Sequence, residues 1–407
     1  MSTPTLFPPF PVKPPSGCPF DPPEGLARLR LEEPLSKVRL DDGGWAWLAT
    51  RYADVRAILG DQRFSSDTST PGYPVSGMTG GSPRPDAARG FIRMDPPEHT
   101  RLRRMVTRDF MVKRVEALRP TLQRLTDELC DEMERVDRSE HPVDLVQALA
   151  LPLPSLAISL LLGVPYEDHD TFQRLTGTLL SRETGEEVRG PARAELLAYI
   201  DGLVRAKVAE PGDDILSRLA TEQHARGELT HEDLIAFAVL LLVAGHETTA
   251  NMIGLSALTL MLDPETAGRL REDPSLVRGA VEELLRFHSI IRNGPRRAAL
   301  EDVEVGGQLI RKGEGVIVAV PSANRDEDVF PDAGRLDITR PNAQHHVAFG
   351  YGIHQCLGQA LARAELQIVI TTLLRRFPAM RPAVPVEEIP FRTDMVIYGC
   401  HALPVTW

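Results

Sequence analysis

The most apolar part of the chain, residues 230–264, has the pattern of one long helix. Thr230 and Asp233 stand three residues apart at its start, as in a capping box, and Pro264 closes it. About 32 helical residues span ~48 Å at 1.5 Å per residue. The uninterrupted apolar run at 234–245 has 12 residues, fewer than the roughly 20 that cross a bilayer. We therefore expect this helix to run through the centre of a soluble protein.

Most other hydrophobic patterns are helical, and the β patterns are few and short. Helical periodicity is found at 52–59, at 97–227 with a polar interruption at 181–190, at 276–289 and at 357–376. Strands are predicted at 45–48, 303–310 and 313–320. Residues 1–25 form a proline-rich segment, and residues 65–90 predict a long loop of the kind that often serves as a lid. Since no linker or repeat divides residues 26–407, we predict a single, mostly α-helical domain with a small β portion.

Composition and charge exclude several classes of protein. The formal net charge of −11 at pH 7 argues against general nucleic-acid binding. The four cysteines are far apart and contain no Cys-x-x-Cys pair, so neither a disulfide framework nor structural zinc is expected. The N-terminus has neither the apolar stretch nor the basic start of a signal peptide. We expect a soluble, cytoplasmic protein that binds no membrane.

Four polar residues, 246–249, interrupt the long apolar helix. His246 and Glu247 open the His-Glu-x-x-His signature of zinc proteases, but the position of the second histidine is Ala250. Because both histidines are needed on one helix face, the zinc interpretation fails. We expect His246 to make structural hydrogen bonds, and another chemistry must explain Glu247 and Thr248.

Cys356 stands directly before a strongly helical segment. Amide groups at a helix start favour negative charge, so a thiolate is stabilised there. Glycines 350, 352 and 358 remove side chains where the backbone approaches something flat and bulky, and Phe349 would shield the sulfur from water. From these residues alone, an inert buried cysteine in a glycine-rich turn is an alternative.

This segment resembles the haem-binding signature of the cytochrome P-450 family, the haem-thiolate monooxygenases. The matching residues are Phe349, Gly352, His354, Cys356 and Gly358. Further signatures in matching order extend the resemblance from about Trp45 to Trp407, and the chain is most similar to the soluble actinobacterial group that oxidises polyketides, steroids and xenobiotics. The resemblance implies a P-450 fold with its long central helix over the haem. It also implies haem b (iron protoporphyrin IX), with the Cys356 thiolate as axial metal ligand.

The same resemblance gives the polar patch of the long helix a function. Ala244 and Gly245 would leave room for dioxygen. Thr248 would hydrogen-bond it, and Glu247 would relay protons through water. The alternative for Thr248 is a hydroxyl group that donates to the carbonyl four residues earlier in the helix.

Several charged residues match positions that surround the haem in this family. Glu283 and Arg286, spaced to share a helix face, resemble the Glu-x-x-Arg pair, and Arg335 resembles the arginine that locks this pair to the coil before the cysteine. A lone pair of this kind could also be an exposed helix ion pair. Four further residues match positions that contact the haem propionates, namely His99, Arg103, Arg297 and His354.

The resemblance also implies partners. Excess positive charge near residue 100 suggests docking of an acidic ferredoxin on the proximal face, although an ordinary charged helix face is the alternative; the residues are Arg101, Arg104, Arg108, Lys113 and Arg114. No nicotinamide or flavin fingerprint occurs in the chain, so we expect neither cofactor to be bound directly. Electrons would come from a ferredoxin and its reductase. We expect a monomer.

The predicted substrate cavity is apolar, which suits a hydrophobic small molecule. By resemblance its lining includes Ile92, Leu242, Val243, Ile290, Ile291, Val396 and Ile397, with Arg93 or Arg292 as candidates to bind a polar group. The polar interruption at 181–190 would be a lid. The expected reaction is hydroxylation or epoxidation of a polyketide, macrolide, terpenoid or steroid. A peroxide-driven peroxygenase and a non-catalytic haem-binding sensor are alternatives, against which the intact Glu247–Thr248 pair argues.

Overall fold

A computed structural model of the protein describes residues 8–10, 18–74, 90–136, 142–165, 168–181 and 183–407. Most of the predicted 65–90 loop and most of the proline-rich N-terminal segment lie outside these residues. The described chain forms two compact units. The first unit contains the residues up to 74, Phe91–Arg103 and Glu282–Cys356; the second contains Gly90, Arg104–Val281 and Leu357–Trp407.

Helices dominate the structure, and the strands are short. The helices are α1 (Leu26–Glu32), α2 (Tyr52–Gly60), α3 (Glu98–Thr107), α4 (Val112–Arg135), α5 (Pro152–Leu162), α6 (His169–Leu180), α7 (Glu186–Ala209), α8 (Ile215–Glu222), α9 (His231–Leu262), α10 (Pro264–Glu272), α11 (Val277–His288), α12 (Val320–Ala323) and α13 (Gln359–Arg376). The strands are β1 (Leu35–Arg39), β2 (Trp45–Ala49), β3 (Phe64–Ser65), β4 (Val143–Asp144), β5 (Arg296–Ala299), β6 (Val303–Val305), β7 (Gln308–Ile310), β8 (Gly315–Val318), β9 (Arg381–Pro382) and β10 (Pro404–Thr406). The prediction of a mostly α-helical fold with a small β portion is confirmed.

The first unit is built around a five-stranded sheet with the order β1-β2-β8-β5-β3. β2 and β8 are parallel, with Trp47 opposite Val316, and the other pairs are antiparallel. All four residues of β8 are buried, which explains its continuous apolar sequence. β6 and β7 form a separate hairpin. The strand predicted at 45–48 is confirmed as β2. The segment predicted at 303–310 is divided into β6 and β7, and that predicted at 313–320 is a strand only over β8, because α12 begins at Val320.

The core of the second unit is α9, which packs against α5, α7 and α13. Its N-terminus carries the predicted capping box: the Asp233 amide donates to Thr230 Oγ1 (3.1 Å) and the Thr230 amide to Asp233 Oδ2 (2.9 Å). Pro264 begins the next helix. Among the described residues α9 is the helix long and apolar enough to suit a membrane span, with a mean hydropathy of 1.4, but half of that apolar window is buried, as in the core helix of a soluble protein.

The predicted polar loop at 181–190 is shorter in the structure, because α7 begins at Glu186. Gly185 precedes the helix in an extended conformation, and Glu186 and Glu187 occupy its first turn. Carboxylates there are favoured by the positive end of the helix dipole. Arg189 folds back and donates to the Ser181 carbonyl (2.9 Å). The second half of the region predicted to be a lid is therefore helical.

Glu365, in α13, is a buried carboxyl group with a testable pH dependence. It is 1% exposed, and its Oε2 has no hydrogen-bond partner in the described parts of the chain. Burial raises its pKa from 4.5 to about 8. Since the pKa is higher in the folded than in the unfolded state, the protein is destabilised increasingly as the pH rises from about 4.5 to about 8, and the loss is complete above that.

Glu365→Gln, which is neutral at every pH, should therefore raise the free energy of unfolding by up to about 4 kcal/mol at pH 9 and change it little at pH 4.5. Chemical denaturation at the two pH values measures the difference. Glu128→Gln, on an exposed part of α4, is the control and should show no such dependence. Equal effects of Glu365→Gln at both pH values would contradict a neutral buried carboxyl group.

Candidate functional site

The Cys356 segment of the first unit is a tight loop that ends three residues before α13. The Cys356 amide donates to the Phe349 carbonyl (2.8 Å), and the Gln355 amide to the Gly352 carbonyl (3.0 Å). Gly352 has φ +74°, and a Cβ there would lie 2.4 Å from the Leu59 carbonyl oxygen, so no other residue fits this turn. Cys356 is half-buried. A Cβ added at position 350 or 358 would meet no described protein atom within 4 Å, which leaves the space beside the loop open.

The structure brings together the four predicted propionate-binding residues, all of which lie in the first unit. The rings of His99 and His354 are 4.1 Å apart between centroids. Arg103 donates to the Gln355 carbonyl (2.5 Å), and Arg297 is buried next to the two rings. We call these four residues the cationic cluster, after the charge of its two arginines.

The cationic cluster contains buried nitrogen atoms that make no hydrogen bond to the described protein. Both ring nitrogens of His99 and Nε2 of His354 are buried without a hydrogen-bond partner in the described chain. Burial lowers the pKa of His354 to about 3, with Arg297, His99 and Arg103 adding to the effect. Burial also lowers the pKa of His99, and Arg103 contributes further. Two arginines beside two unsatisfied imidazoles form a site for anions, since buried polar groups are rarely left without partners.

In the second unit, the polar patch of α9 is held by hydrogen bonds within the helix. Thr248 Oγ1 donates to the Ala244 carbonyl (2.8 Å), which is the arrangement considered above as the alternative for this hydroxyl. A Cβ at Gly245 would lie 2.9 Å from a side-chain carbon of Ile158, so close packing of α5 on α9 also requires a glycine. Ala244 is exposed and Thr248 is half-buried.

His246 has the structural role that the sequence predicted. Its Nδ1 donates to the Leu242 carbonyl (2.9 Å), and the Thr176 hydroxyl lies 3.3 Å from Nε2. The ring is fully buried against Phe172. Burial lowers the pKa of His246, which favours the neutral imidazole.

Glu247 is paired with an arginine that the sequence reasoning missed. Arg392 Nη1 lies 2.8 Å from Glu247 Oε2, and the two side chains are 7% and 4% exposed. The Asn251 amide group donates to the Glu247 carbonyl (2.7 Å) and lies 3.4 Å from Oε2. The sequence analysis assigned only Val396 and Ile397 of this region to the pocket, and the available signal was a single arginine four residues before them.

Glu283 and Arg286 form a fully buried, bidentate ion pair, with contacts of 2.7 and 2.8 Å. The prediction that Arg335 is the third charged member is wrong. Arg335 is exposed and contributes its carbonyl oxygen, whereas Arg340 places Nε 3.1 Å from both Glu283 oxygens. Sequence spacing could not show which of the two arginines of this coil reaches Glu283. In the structure it is Arg340, whose buried guanidinium also donates to the Pro331 carbonyl (2.6 Å).

The predicted substrate-lining residues differ in burial, and each lies within a single unit. In the first unit Ile92 and Arg93 are exposed, Ile290 is buried and Ile291 is half-buried; in the second, Leu242 and Ile397 are buried and Val243 and Val396 are half-buried. Arg292 donates to the Pro19 carbonyl (2.9 Å), so its guanidinium is engaged by the N-terminal segment.

Part of the predicted basic patch is neutralised by ion pairs. Arg101 pairs with Glu98, and Arg108 pairs with Glu222 (2.7 Å). Arg104, Lys113 and Arg114 are exposed. Two exposed apolar side chains, Met111 (56%) and Val112 (66%), lie between them in sequence. The uncompensated positive charge of the patch is therefore smaller than predicted, and Met111 and Val112 make its surface partly apolar.

Comparisons with known proteins agree with one another. A sequence profile of the family described as Cytochrome P450 matches residues 48–210 and 205–398. Cytochrome P450-SU2 of Streptomyces griseolus is 54% identical over 392 residues, which are 96% of this chain and 95% of that protein. The crystal structure of GfsF, from Streptomyces halstedii, has a TM-score of 0.90 at 46% identity and covers 98% and 100% of the two chains. Mycinamicin VIII C21 methyl hydroxylase MycCI of Micromonospora griseorubida, solved with mycinamicin VIII bound, has a TM-score of 0.88 at 44% identity, with 95% and 96% covered.

Proposed function

The chain belongs to the cytochrome P450 family, and on that premise we propose that it hydroxylates or epoxidises a hydrophobic secondary metabolite. It is a haem-thiolate monooxygenase, and its cofactor is haem b with an axial cysteine thiolate. The observation that carries the assignment of individual residues is the cationic cluster beside the Cys356 loop.

The cationic cluster and the Cys356 loop suit the chemistry of haem b. Haem carries two carboxylates, and the cluster offers two arginines and unsatisfied imidazole nitrogens that need anionic or acceptor partners. A Cβ added at Gly350 would meet no described protein atom within 4 Å, so this loop of the first unit leaves room for a flat group. We assign His99, Arg103, Arg297 and His354 to the propionates and Cys356 to the iron, with Phe349 shielding the sulfur.

The protein side of the reaction concerns protons and water. When bound, haem supplies the centre at which dioxygen is activated, and the thiolate favours cleavage of the O–O bond. Glu247 is the carboxylate of this chain that would hold and pass on protons. Because the Thr248 proton is given to the Ala244 carbonyl, the lone pairs of Oγ1 face outward to accept from water. Ala244 and Gly245 keep this stretch of α9 free of bulky side chains.

Thr248→Ala should lower the yield of product per NADPH consumed by about tenfold, with hydrogen peroxide released instead, because the path of proton delivery loses the Oγ1 that accepts a hydrogen bond from water. Glu247→Gln should act in the same direction. Thr248→Ser keeps the hydroxyl and is the matched control, with a yield within about twofold of the wild type. Product and peroxide are quantified together against NADPH. Unchanged yield in both Thr248→Ala and Glu247→Gln would refute the proton-delivery role.

A macrolide is the substrate class that we favour. Support comes from the structure of MycCI, at 44% identity, which holds mycinamicin VIII. The seven apolar residues that the resemblance assigns to the cavity suit such a ligand. The test is a panel of macrolides, terpenoids and steroids, scored by the shift of the ferric Soret band and by products heavier by one oxygen atom. If no macrolide of the panel produces either signal, the proposed substrate class is wrong.

We assign the electron supply to a ferredoxin that docks on Arg104, Lys113 and Arg114. Arg104→Glu should slow reduction by ferredoxin about tenfold at low salt and less at high salt, because steering by exposed charges is screened. Arg269 is an exposed arginine on α10. Arg269→Glu is the control, because it makes the same change of charge outside the proposed docking surface. Stopped-flow reduction of both variants is the measurement, and equal slowing of the two would leave no role for this surface.

The remaining parts of the proposal concern the state of the protein. We assign the haem domain to residues 26–407 and expect a cytoplasmic monomer that binds neither nucleic acid nor membrane. The net charge of −11 supports the absence of general nucleic-acid binding. Size-exclusion chromatography with light scattering measures the oligomeric state; the expected mass is 44.9 kDa plus haem.

A further inference from the structure

Residues 390–401 of the second unit form a closed turn, which we call the 390–401 hairpin. Phe391 and Cys400 form an isolated antiparallel bridge, and the Arg392 amide donates to the Gly399 carbonyl (2.8 Å). The rings of Phe391 and Tyr398 are stacked, with an angle of 6° between their planes. This hairpin carries Val396 and Ile397, which we assign to the substrate cavity.

One side of the 390–401 hairpin is fastened to α9 at Glu247. The shortest contact of the Glu247 carboxylate is that to Arg392, at 2.8 Å, while His246 Nε2 is 3.7 Å away. A Cβ at Gly399 would lie 1.8 Å from Asn251 Oδ1, so the hairpin backbone lies directly against the helix. The orientation of Glu247 is therefore set mainly by a side chain of the hairpin.

The other side of the 390–401 hairpin is fastened to the end of α6. Met395 forms a bridge with Ser181, and the Val396 amide donates to the Leu180 carbonyl (3.2 Å). Arg189 of α7 donates to the Ser181 carbonyl. Ser181 and Arg189, which lie in the 181–190 region predicted to be a lid, are thus joined through the hairpin to Glu247.

We infer that Arg392 is a positioning residue that couples the 390–401 hairpin to proton delivery by Glu247. A buried ion pair contributes little to stability compared with well-packed apolar residues. Stability therefore does not explain why Arg392 pairs with the proton-delivering carboxylate, and a functional role does. Substrate that contacts Val396 and Ile397 pushes on the same hairpin whose Arg392 orients Glu247. The inference rests on the proposed function, because it requires Glu247 to deliver protons.

The test uses full-length holoenzyme with the panel compound that the wild type oxidises fastest. Arg392→Gln should lower product per NADPH about tenfold, and Arg392→Lys, which keeps the charge, should recover most of the yield. In a Glu247→Gln background, Arg392→Gln should add less than about twofold, since residues that act through each other are not additive. Arg376→Gln, an arginine of α13 that pairs with Asp131, is the control for loss of a paired arginine and should keep the yield of the wild type.

A second readout does not depend on turnover. Hydrogen–deuterium exchange of the 390–401 amides should be about tenfold faster in Arg392→Gln and in Glu247→Gln, and no faster in the double variant. Unchanged exchange in Arg392→Gln, or a full additional loss of yield in the Glu247→Gln background, would overturn the inference. If Glu247→Gln alone leaves the yield intact while exchange still responds to Arg392→Gln, the proton-delivery proposal fails, and Arg392 is left as a structural tether.

Discussion

Cys356→Ser is expected to abolish product formation, a loss of at least ~10³-fold, because it removes the thiolate that we assign to the iron. A thiolate, and not a thiol, binds the metal. Burial raises the pKa of Cys130 and of Cys400 to about 12, which keeps both as neutral thiols. Cys18 is exposed. The half-buried Cys356, in its glycine-rich loop, is therefore the cysteine that we propose as the ligand.

The measurement for Cys356→Ser is the difference spectrum of the reduced protein with carbon monoxide, together with product yield. The wild type should give the red-shifted Soret band of thiolate ligation, and the variant should lose it. Cys18→Ser and Cys130→Ala are matched controls and should keep both the band and the yield. Loss of the band in Cys130→Ala but not in Cys356→Ser would move the axial ligand to another cysteine.

The features that the sequence predicted well are those with local signals. The ends of α9 were predicted to within two residues because a capping box joins side chains three residues apart, and because proline ends a helix for steric reasons. The Cys356 segment was identifiable for the same reason: its glycines, phenylalanine and cysteine lie within ten residues. Such signals need no knowledge of which distant segments meet.

The features that the sequence missed depend on contacts between distant segments. Arg392 reaches Glu247 from a hairpin near the C-terminus, and nothing in the spacing of the two residues indicates that pair. β5 was missed because its sequence, Arg-Arg-Ala-Ala, has no apolar alternation, although all four residues are buried. The Arg296 guanidinium is satisfied there by the Pro74 carbonyl (2.9 Å). Arginines that composition rules place on the surface can thus be buried when a distant segment supplies a hydrogen-bond acceptor.

Arg340→Ala is expected to lower the free energy of unfolding by about 3 kcal/mol or more and the melting temperature by about 5 °C. Glu283 is fully buried and accepts from both Arg286 and Arg340. Removing Arg340 leaves this carboxylate with one counter-charge and leaves the Pro331 carbonyl without its guanidinium donor. A buried group that loses its partner destabilises the fold by more than the net free energy that the contact contributed, because the group stays desolvated. Calorimetry and retention of haem on a desalting column are the measurements.

Arg335→Ala is the matched control, because it lies in the same coil and alters the same net charge. Its side chain is exposed, and the carbonyl oxygen that Arg286 uses is kept in alanine, so the change in the free energy of unfolding should stay below about 0.5 kcal/mol. Arg340→Lys should fall between the two, since a lysine keeps the charge but lacks the planar fork that also reaches the coil carbonyls. A larger loss in Arg335→Ala than in Arg340→Ala would restore Arg335 as the third member of the buried charge cluster.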